Sequence, residues 1–538
     1  MKKIIIFMLI IFVISFSGCI EKKHGVLKEK SSDLTYGISS MPRDLLMLNY
    51  ENKRDEDLLC AFFEGLVQLN SNNTIVPALA ESYEVSKDGL TYIFKLRKNM
   101  FWSNGGEIKA QDFVNFFKDI LSPGVENIFY KELSSIYGAE DYYKGKQSFD
   151  KVAIRALEDN TLQIRLNYAN PNLLNTLSKP RYRLRKNLLD LKNWKQNYKN
   201  ILFTGPYKIN NIFVQDTETL QLIKNDRYYD KEKILAHNIN INAYSSKEVA
   251  MAKYDINELD FILDIPISEV QRLISKEKFS SLNNDRTFCI TFNFRKDNIF
   301  SNEKVRQFIA KDLDKLTSEE LLDKANIEMA KNTFFPNNKV SQKEKAAMSN
   351  SVEKDSVTLS ELKDKKRTIR LICANDDKSK FIAQKIAKDL KLSSQLEVYV
   401  KSFNNIEMKE IMDKGEYDLV LKDFINTDKE NFFRNWSSNN NENIYKYNNI
   451  EYDNILSKYI YEKDSLKKEE YYLSLNNILK KDAVVVPLFY DSILVAKNEN
   501  IKGVYLDGNK NIMLKDIYKI FESKENNNEI YDENIPIG

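Results

Sequence analysis

A run of six residues, 181–186, concentrates the side chains best suited to bind a charged group. It reads Arg-Tyr-Arg-Leu-Arg-Lys, so most of its side chains are cationic. Guanidinium groups pair with carboxylates and phosphates through parallel hydrogen bonds, and the run could therefore recognise an acidic ligand. Runs of like charge also commonly lie on a solvated face. The sequence favours the solvated face and leaves acidic recognition as the alternative.

The side chains of common catalytic motifs are absent from the sequence. Only two histidines occur, His24 and His237, and neither has a histidine or cysteine beside it. There is no Gly-x-x-x-x-Gly-Lys-Ser/Thr loop for nucleotide phosphates, no His-Glu-x-x-His pair for zinc and no Gly-x-Ser-x-Gly nucleophile turn. Carboxylates are abundant, but no spacing singles out a pair. The sequence therefore favours a binding protein over an enzyme, with no metal and no cofactor.

The amino-terminal segment has the order of an export signal. Two lysines precede an apolar run over 4–14, which is shorter than the about 20 residues of a membrane-spanning helix. The run ends at Phe16-Ser17-Gly18-Cys19, which resembles a lipobox with Cys19 as the lipidated residue. We expect a lipoprotein signal peptide over 1–18 and a lipidated cysteine with a polar tether over 19–32. An ordinary secretory signal with an incidental cysteine is the alternative.

Length, charge and cysteine spacing limit the class of protein. The 538 residues exceed what one core usually serves, so two or three lobes are expected. With 81 basic and 78 acidic residues the net charge is +3, which gives no argument for nucleic-acid binding. Cys60, Cys289 and Cys373 lie far apart in the sequence. This spacing indicates buried free thiols rather than a zinc site or redox pair, although a disulfide is possible after export.

The segment 62–123 has the clearest local pattern. Residues 90–96 alternate apolar and polar as a half-buried strand does, and Asp88-Gly89 and Asn104-Gly105 mark turns on either side. Over 110–121 the apolar residues follow helical spacing. These patterns predict an α/β lobe. The same reasoning predicts strands at 34–39, 160–166, 369–374 and 397–400 and a helix at 381–390.

Several short phrases occur in a fixed order along the chain. They are Phe62-Phe63-Glu64-Gly65-Leu66, Pro77-Ala78-Leu79-Ala80-Glu81-Ser82-Tyr83, Phe101-Trp102-Ser103-Asn104-Gly105, Thr204-Gly205-Pro206-Tyr207, Asn225-Asp226-Arg227-Tyr228-Tyr229, Thr291-Phe292-Asn293 and Val486-Pro487-Leu488-Phe489-Tyr490. In this order they closely resemble the oligopeptide-binding branch of the bacterial extracellular solute-binding proteins, which deliver ligands to ABC importers. The resemblance covers about residues 33–520 and is strongest before residue 125.

The resemblance implies an α/β fold of the periplasmic-binding-protein-like kind (type II, large cluster). Two large lobes would be joined by crossing strands around a central ligand cleft, with a third, smaller lobe added. The boundaries that it implies are lobe I over 33–54, 201–286 and 491–522, lobe II over 55–200, lobe III over 287–490 and a flexible tail over 523–538.

The resemblance also implies how a ligand is held. An extended peptide would lie between the lobes, bound mainly through main-chain hydrogen bonds. A carboxylate of the third lobe would pair with the peptide's amino terminus, and Asp428 stands one place after the matching position, Thr427. The residues that the resemblance assigns to the ligand are Asp428, Asn426, Thr427, Phe424, Asn293, Phe292, Phe489 and Tyr490. For the aromatic residues at 292, 489 and 490 core packing is the alternative, and for Asp428 an ordinary surface position.

The partners implied by the resemblance are an oligopeptide ligand and separate permease and ATPase subunits. The protein would be a monomer on the outer face of the cytoplasmic membrane, held there by lipid on Cys19, and the run 181–186 could contact the transporter. Two alternatives stay open. One is a surface receptor or interaction protein with a degenerate pocket, and the other is the same fold with a nickel complex, opine, glycan or haem as ligand.

Overall fold

The structure, a computed structural model, describes most of the chain between Lys28 and Glu522. The described residues are 28–31, 33–49, 52–214, 217–316, 328, 330, 334–335, 368–394, 396–425, 429–440 and 443–522. The expected signal peptide, Cys19, the tail from 523 and three expected ligand residues, Asn426, Thr427 and Asp428, lie outside them. Within these ranges, no helix combines the length and the apolar character needed to cross a bilayer.

Nineteen strands are seen among the described residues. They are β1 (Lys28–Ser31), β2 (Asp33–Ile38), β3 (Val67–Leu69), β4 (Ile75–Pro77), β5 (Ala80–Val85), β6 (Thr91–Leu96), β7 (Ile154–Glu158), β8 (Thr161–Arg165), β9 (Tyr207–Val214), β10 (Glu218–Lys224), β11 (Asn238–Ala243), β12 (Phe261–Leu263), β13 (Phe279–Phe292), β14 (Ile369–Ala374), β15 (Val398–Phe403), β16 (Leu419–Ile425), β17 (Val485–Lys497), β18 (Ile501–Lys502) and β19 (Tyr518–Glu522).

The same residues also contain α-helices. They are α1 (Lys53–Phe62), α2 (Ala110–Ile120), α3 (Ala139–Tyr143), α4 (Leu173–Leu177), α5 (Leu188–Lys192), α6 (Trp194–Asn197), α7 (Lys247–Asp255), α8 (Val270–Ile274), α9 (Glu303–Leu316), α10 (Asp377–Ser394), α11 (Asn405–Lys414), α12 (Lys429–Arg434), α13 (Ile450–Tyr461) and α14 (Ser465–Lys481).

A ten-stranded mixed sheet runs through both large lobes. Its order is β15-β14-β16-β13-β17-β12-β2-β11-β10-β9. Parallel neighbours need crossover connections, which are commonly helices. Accordingly α7 lies between the parallel-running β11 and β12 in sequence, and α10 connects β14 to its parallel partner β15. The helix α7 packs beside β12, and α10 packs on β14 and β15 at one edge of the sheet.

The strands β13 and β17 are the long central pair of that sheet. They run antiparallel from the Phe279–Ala496 pair to the Thr291–Val485 pair. One end of β17 pairs with β12, and the other half of β13 pairs with β16. The register between β13 and β17 shifts between Asn283 and Thr287. Each of the two strands therefore belongs to both lobes, and they are the crossing strands expected for this fold.

A separate apolar core surrounds the four-stranded sheet β5-β6-β8-β7. The helix α2 buries its phenylalanines, including Phe113 and Phe117, against this sheet. In its first turn the carboxylate of Asp112 accepts a hydrogen bond from the Lys109 amide at 2.9 Å. The strand and helix predicted for this segment are confirmed at Thr91–Leu96 and Ala110–Ile120.

The fold confirms the expected α/β architecture of two large lobes with an added smaller one. The other predicted strands are present: 369–374 is β14, whereas 34–39 is β2 and 160–166 is β8 with shifted ends, and 397–400 begins β15. The predicted helix over 381–390 is the middle of the longer α10. Cys60, Cys289 and Cys373 are buried and unpaired, which confirms the expected free thiols.

Candidate binding cleft

Two adjoining cavities lie where the two large lobes meet. The larger encloses about 480 Å³ between the start of α7, the segment from Asp264 to Gln271 and one face of α10. The smaller encloses about 310 Å³ and is lined by the end of β2, the start of α1 and the crossing strands. Lys247, Asp264 and Lys378 line both cavities. The two volumes therefore form one cleft with a shared polar wall, in the size range of ligand sites.

The lysine at 378 connects α10 with a crossing strand. Its ammonium lies 2.7 Å from Oδ1 of Asp491 and donates to the carbonyl of Ser492 at 2.9 Å. The second oxygen of Asp491 accepts from Nδ2 of Asn284 at 2.7 Å. Burial would lower the pKa of Lys378, but Asp491 and Asp264 outweigh it and hold the pKa above its ordinary value. The lysine is therefore a fixed cation of the cleft wall.

A second charged group underlies the smaller cavity. Arg54 lies 3.1 Å from Asp57, and its guanidinium also donates to the carbonyl of Lys510 at 3.0 Å. Burial raises the pKa of Asp57 to about 7, because it outweighs both Arg54 and the amide of Ile512. Tyr36, stacked 4.6 Å from the ring of Phe261, completes this part of the wall. The floor of the cavity is therefore polar and rigidly held.

The side chain of Asp264 differs from these neighbours. It follows β12 directly and has a left-handed backbone conformation, with φ 54°. It is half-buried and faces both cavities. Within the part of the chain that the structure describes, its carboxylate has neither a hydrogen bond nor an ion pair. Sequence reasoning missed it, because a left-handed aspartate has no signature comparable to that of glycine.

The expected aromatic ligand residues lie inside the protein. Phe292 is fully buried 5.3 Å from the ring of Phe300, and Phe424 packs against Phe432 and Trp436. The hydroxyl of Tyr490 donates to the carbonyl of Phe335 at 2.8 Å. None of the expected aromatic residues is among those lining the two described cavities, which favours packing as their role.

The ring of Phe489 contributes to the cleft indirectly. It stacks at 5.0 Å on Phe288, and Phe288 lines the smaller cavity. Phe288 lies on crossing strand β13 and pairs with Asp423 of β16. Sequence reasoning missed Phe288, which sits in a mostly apolar stretch of strand with no periodicity to mark the one residue that faces the cavity.

The expected ligand residue Asn293 fixes a neighbouring turn. Its side-chain amide donates to the carbonyls of Tyr417 and Gly415 at 2.8 and 3.1 Å. The adjacent Asp418 is paired with Arg370 at 3.1 Å and accepts from Asn298 at 2.7 Å. These hydrogen bonds therefore hold the start of β16 beside the end of β13.

The prediction that the basic run 181–186 lies on a solvated face is wrong. Its arginines at 181, 183 and 185 are at most 4% exposed. They alternate with Tyr182 and Leu184, which belong to the core of the smaller lobe. The arginines point instead toward buried acceptors near α1.

Each buried arginine has its own acceptors. Arg181 pairs with Glu56 at 2.9 Å, and Arg183 lies 3.2 Å from Glu64. Arg185 donates to the carbonyls of Leu45 and Leu46, both at 2.8 Å. Burial lowers the pKa of Arg185 to about 9. The run therefore holds the smaller lobe against the first, and its guanidinium groups are not available to an acidic ligand.

The chain resembles proteins of known class along most of its length. The profile of the bacterial extracellular solute-binding proteins, family 5 (middle region), matches residues 74–443. The oligopeptide-binding protein OppA of Bacillus subtilis (strain 168) is 26% identical over 488 residues, covering 85% of this chain and 87% of that protein. The dipeptide-binding protein DppE of the same strain is 24% identical, covering 82% and 83%.

Solved structures show the same fold. The substrate-binding domain of an oligopeptide ABC transporter from Bacillus anthracis str. Ames matches with a TM-score of 0.70 at 22% identity, over 91% of this chain and all of that one. The murein tripeptide binding protein MppA of Escherichia coli matches with a TM-score of 0.68 at 20% identity, over 92% and 99%. Together with the profile match, these similarities show that the chain belongs to family 5 of the bacterial extracellular solute-binding proteins.

Proposed function

We propose that this protein is the substrate-binding lipoprotein of an ABC importer and captures oligopeptides in the cleft between its two large lobes. The observation that carries the proposal is the cleft itself, two adjoining cavities beside the crossing strands β13 and β17. Family membership supports a binding role outside the cytoplasm rather than catalysis. The peptide-binding names of OppA and DppE support peptides as the ligand class.

The chemistry of the walls suits a peptide. Ile265, Phe381 and Leu494 provide apolar surface in the larger cavity, while charged groups line its rim. In the smaller cavity, Ser39 and Ser40 follow the last paired residue of β2, Ile38. Backbone groups beyond the end of a sheet pairing are available to an extended ligand, as in strand-addition recognition. A peptide would therefore find main-chain partners at one end and apolar contacts at the other.

We keep Asp428 as the proposed partner of a peptide's amino terminus, with Asn426 and Thr427 beside it. Support comes from the described part of β16, which ends at Ile425, paired with Arg286 of β13. Two residues further along β13, Phe288 lines the smaller cavity. The chain thus leaves the sheet close to the cleft.

Capture would proceed by closure of the lobes. Lobe I would comprise 33–54, 201–286 and 491–522, lobe II 55–200 and lobe III 287–490. Because β13 and β17 are the shared central strands, a rotation of one lobe against the other would bend this pair, where its register is already irregular. The lipobox-like residues 16–19 motivate the lipid anchor on Cys19, which would keep the protein near its permease.

Native mass spectrometry of the protein purified without denaturation tests the proposal. We expect co-purifying peptides of a narrow length range, which are lost after denaturation. Asp428→Asn should weaken peptide binding. Asp226→Asn should not, because Asp226 is an exposed carboxylate far from Asp428 in sequence. Peptide capture would be refuted by a protein that is purified without peptide and shows no binding of an added peptide library in calorimetry.

A further inference from the structure

The charges that line the cleft are unequally divided. The smaller cavity is lined by three cationic side chains, Arg54, Lys247 and Lys378, and by four carboxylates, Asp55, Asp264, Asp376 and Asp491. The larger cavity is lined by four lysines and three carboxylates. The side chains lining the smaller cavity therefore carry a net negative charge, and those lining the larger cavity a net positive charge. A ligand with separated charges would be oriented by this difference. Its cationic group would lie on the side of the smaller cavity.

The carboxylate best placed to receive that cation is Asp264. It lies on the wall shared by the two cavities. Asp491, by contrast, is occupied by Lys378 at 2.7 Å and by Asn284, and Asp376 accepts the amide of Ser379 at 2.9 Å. Within the described residues, Asp264 has no such direct partner. A half-buried carboxylate that faces a cavity without a partner is a site for a charged donor.

Two of the three cations that line the smaller cavity, Arg54 and Lys378, are already engaged. Arg54 lies 3.1 Å from Asp57, and Lys378 has Asp491 and the carbonyl of Ser492. Both sense Asp264 electrostatically without contacting it. Their contacts are made with these other acceptors, which leaves the oxygens of Asp264 available to a ligand.

The backbone at Asp264 supports a positional role. Its φ of 54° is in the left-handed region, where aspartate is found far more often than branched residues. The conformation turns the chain between β12 and the residues that enter the larger cavity, Ile265 and Ile267. Unusual backbone conformations of this kind concentrate at ligand sites, and here the conformation places the carboxylate at the junction of the two cavities.

We propose that Asp264 anchors an ammonium group of the bound peptide at the junction of the two cavities. The inference rests on the proposed peptide-binding function and adds to it a specific residue of lobe I, separate from Asp428. The ammonium belongs to a lysine side chain or, in place of the pairing with Asp428, to the amino terminus; both present the same charged donor, and the test below distinguishes them. Charge-assisted hydrogen bonds to such a carboxylate would make peptides without an ammonium group poor ligands.

Calorimetry on the full-length protein in detergent tests this inference with three probes. They are tetra-alanine with a free amino terminus, its N-acetyl form, and an N-acetyl form with one alanine replaced by lysine. Asp264→Asn is compared with the native protein. Asparagine has nearly the same shape and also tolerates a left-handed backbone, so the variant should fold normally. Asp226→Asn is the matched control, because Asp226 is an exposed aspartate that lines neither cavity.

We expect Asp264→Asn to weaken binding of an ammonium-bearing probe by about 10- to 100-fold, since a hydrogen bond to a charged group is lost. The N-acetyl form without lysine should bind weakly to both proteins, and Asp226→Asn should match the native protein. The probe that loses affinity identifies the source of the ammonium. Equal affinity of native and Asp264→Asn protein for every probe that binds would overturn this inference alone. A native protein that binds no peptide would overturn the proposed function as well.

Discussion

Nη1 of Arg183 lies 3.2 Å from Oε1 of Glu64, and the two side chains are 2% and 1% exposed. The same nitrogen donates to the carbonyl of Phe63 at 2.8 Å, just beyond the end of α1. Glu64 also accepts from the hydroxyl of Tyr228 at 2.8 Å. Among the described residues Nε of Arg183 has no hydrogen-bond partner, so this buried pair depends on the contacts of Nη1 and of Glu64. The pair fastens the residues that follow α1 to the run 181–186, and the hydroxyl of Tyr228 connects this site to the segment after β10.

Replacing Arg183 should therefore destabilise the protein strongly. Arg183→Ala would leave Glu64 and the carbonyl of Phe63 in a buried site without their donor. We expect the free energy of unfolding to fall by about 3–5 kcal/mol. Urea denaturation followed by circular dichroism measures it. Lys192→Ala removes one positive charge from an exposed position and should change stability by less than about 0.5 kcal/mol. Similar values for both variants would show that the buried pair contributes nothing.

The stability should depend on pH through Asp57. Burial raises its pKa from the ordinary 3.8 to about 7. Between these values the folded protein holds a proton that the unfolded chain has released, so the contribution of Asp57 to the free energy of unfolding falls as pH rises. The Asp57→Asn variant has no titratable group at this position. Its free energy of unfolding should therefore decline less between pH 5 and pH 8 than that of the native protein. Part of the slope should remain, because burial also raises the pKa of Asp507.

The measurement is urea denaturation at several pH values within that window. Asp226→Asn is the control, since an exposed carboxylate of this kind should leave the slope unchanged. A slope for Asp57→Asn that equals that of the native protein would contradict the prediction.

The family phrase Thr204-Gly205-Pro206 has a steric explanation. A Cβ on Gly205 would lie 2.6 Å from backbone atoms of Phe62 and Phe63, which cannot move as a side chain does. The Gly205 amide also donates to the carbonyl of Phe62 at 2.9 Å. Gly205→Ala should therefore cost about 1–3 kcal/mol of stability. Gly106→Ala, where the nearest atom is the side-chain oxygen of Asn104 at 3.3 Å, should cost less in the same denaturation assay.

The sequence allowed the fold to be predicted better than the cleft, for a physical reason. Alternation and helical spacing report which face of a local element is buried, and so β6 and α2 were found nearly to the residue. The cleft depends on contacts between distant segments, such as Lys378 with Asp491. No local period encodes such a pair. The burial of Arg181 and Arg183 could not be predicted for the same reason. Their acceptors, Glu56 and Glu64, lie more than a hundred residues away in sequence.

The cleft wall should depend on the bridge made by Lys378. This lysine joins α10 to β17 through Asp491, which is only 9% exposed, and lines both cavities. Lys378→Met keeps the aliphatic stem but removes a charged donor. We expect a loss of about 2–3 kcal/mol in the free energy of unfolding, together with weaker ligand binding.

The matched control for that bridge is Lys385→Met on the same helix. Lys385 also lines the larger cavity, but its pairing with Asp389 at 2.9 Å stays within α10 and joins nothing to the crossing strand. Such a pair four residues apart contributes about 0.2–0.5 kcal/mol. Because Asp491 is left buried when Lys378 is removed, Lys378→Met combined with Asp491→Asn should be less destabilised than the sum of the two single changes. Additive single changes would show that the bridge does not couple α10 to β17.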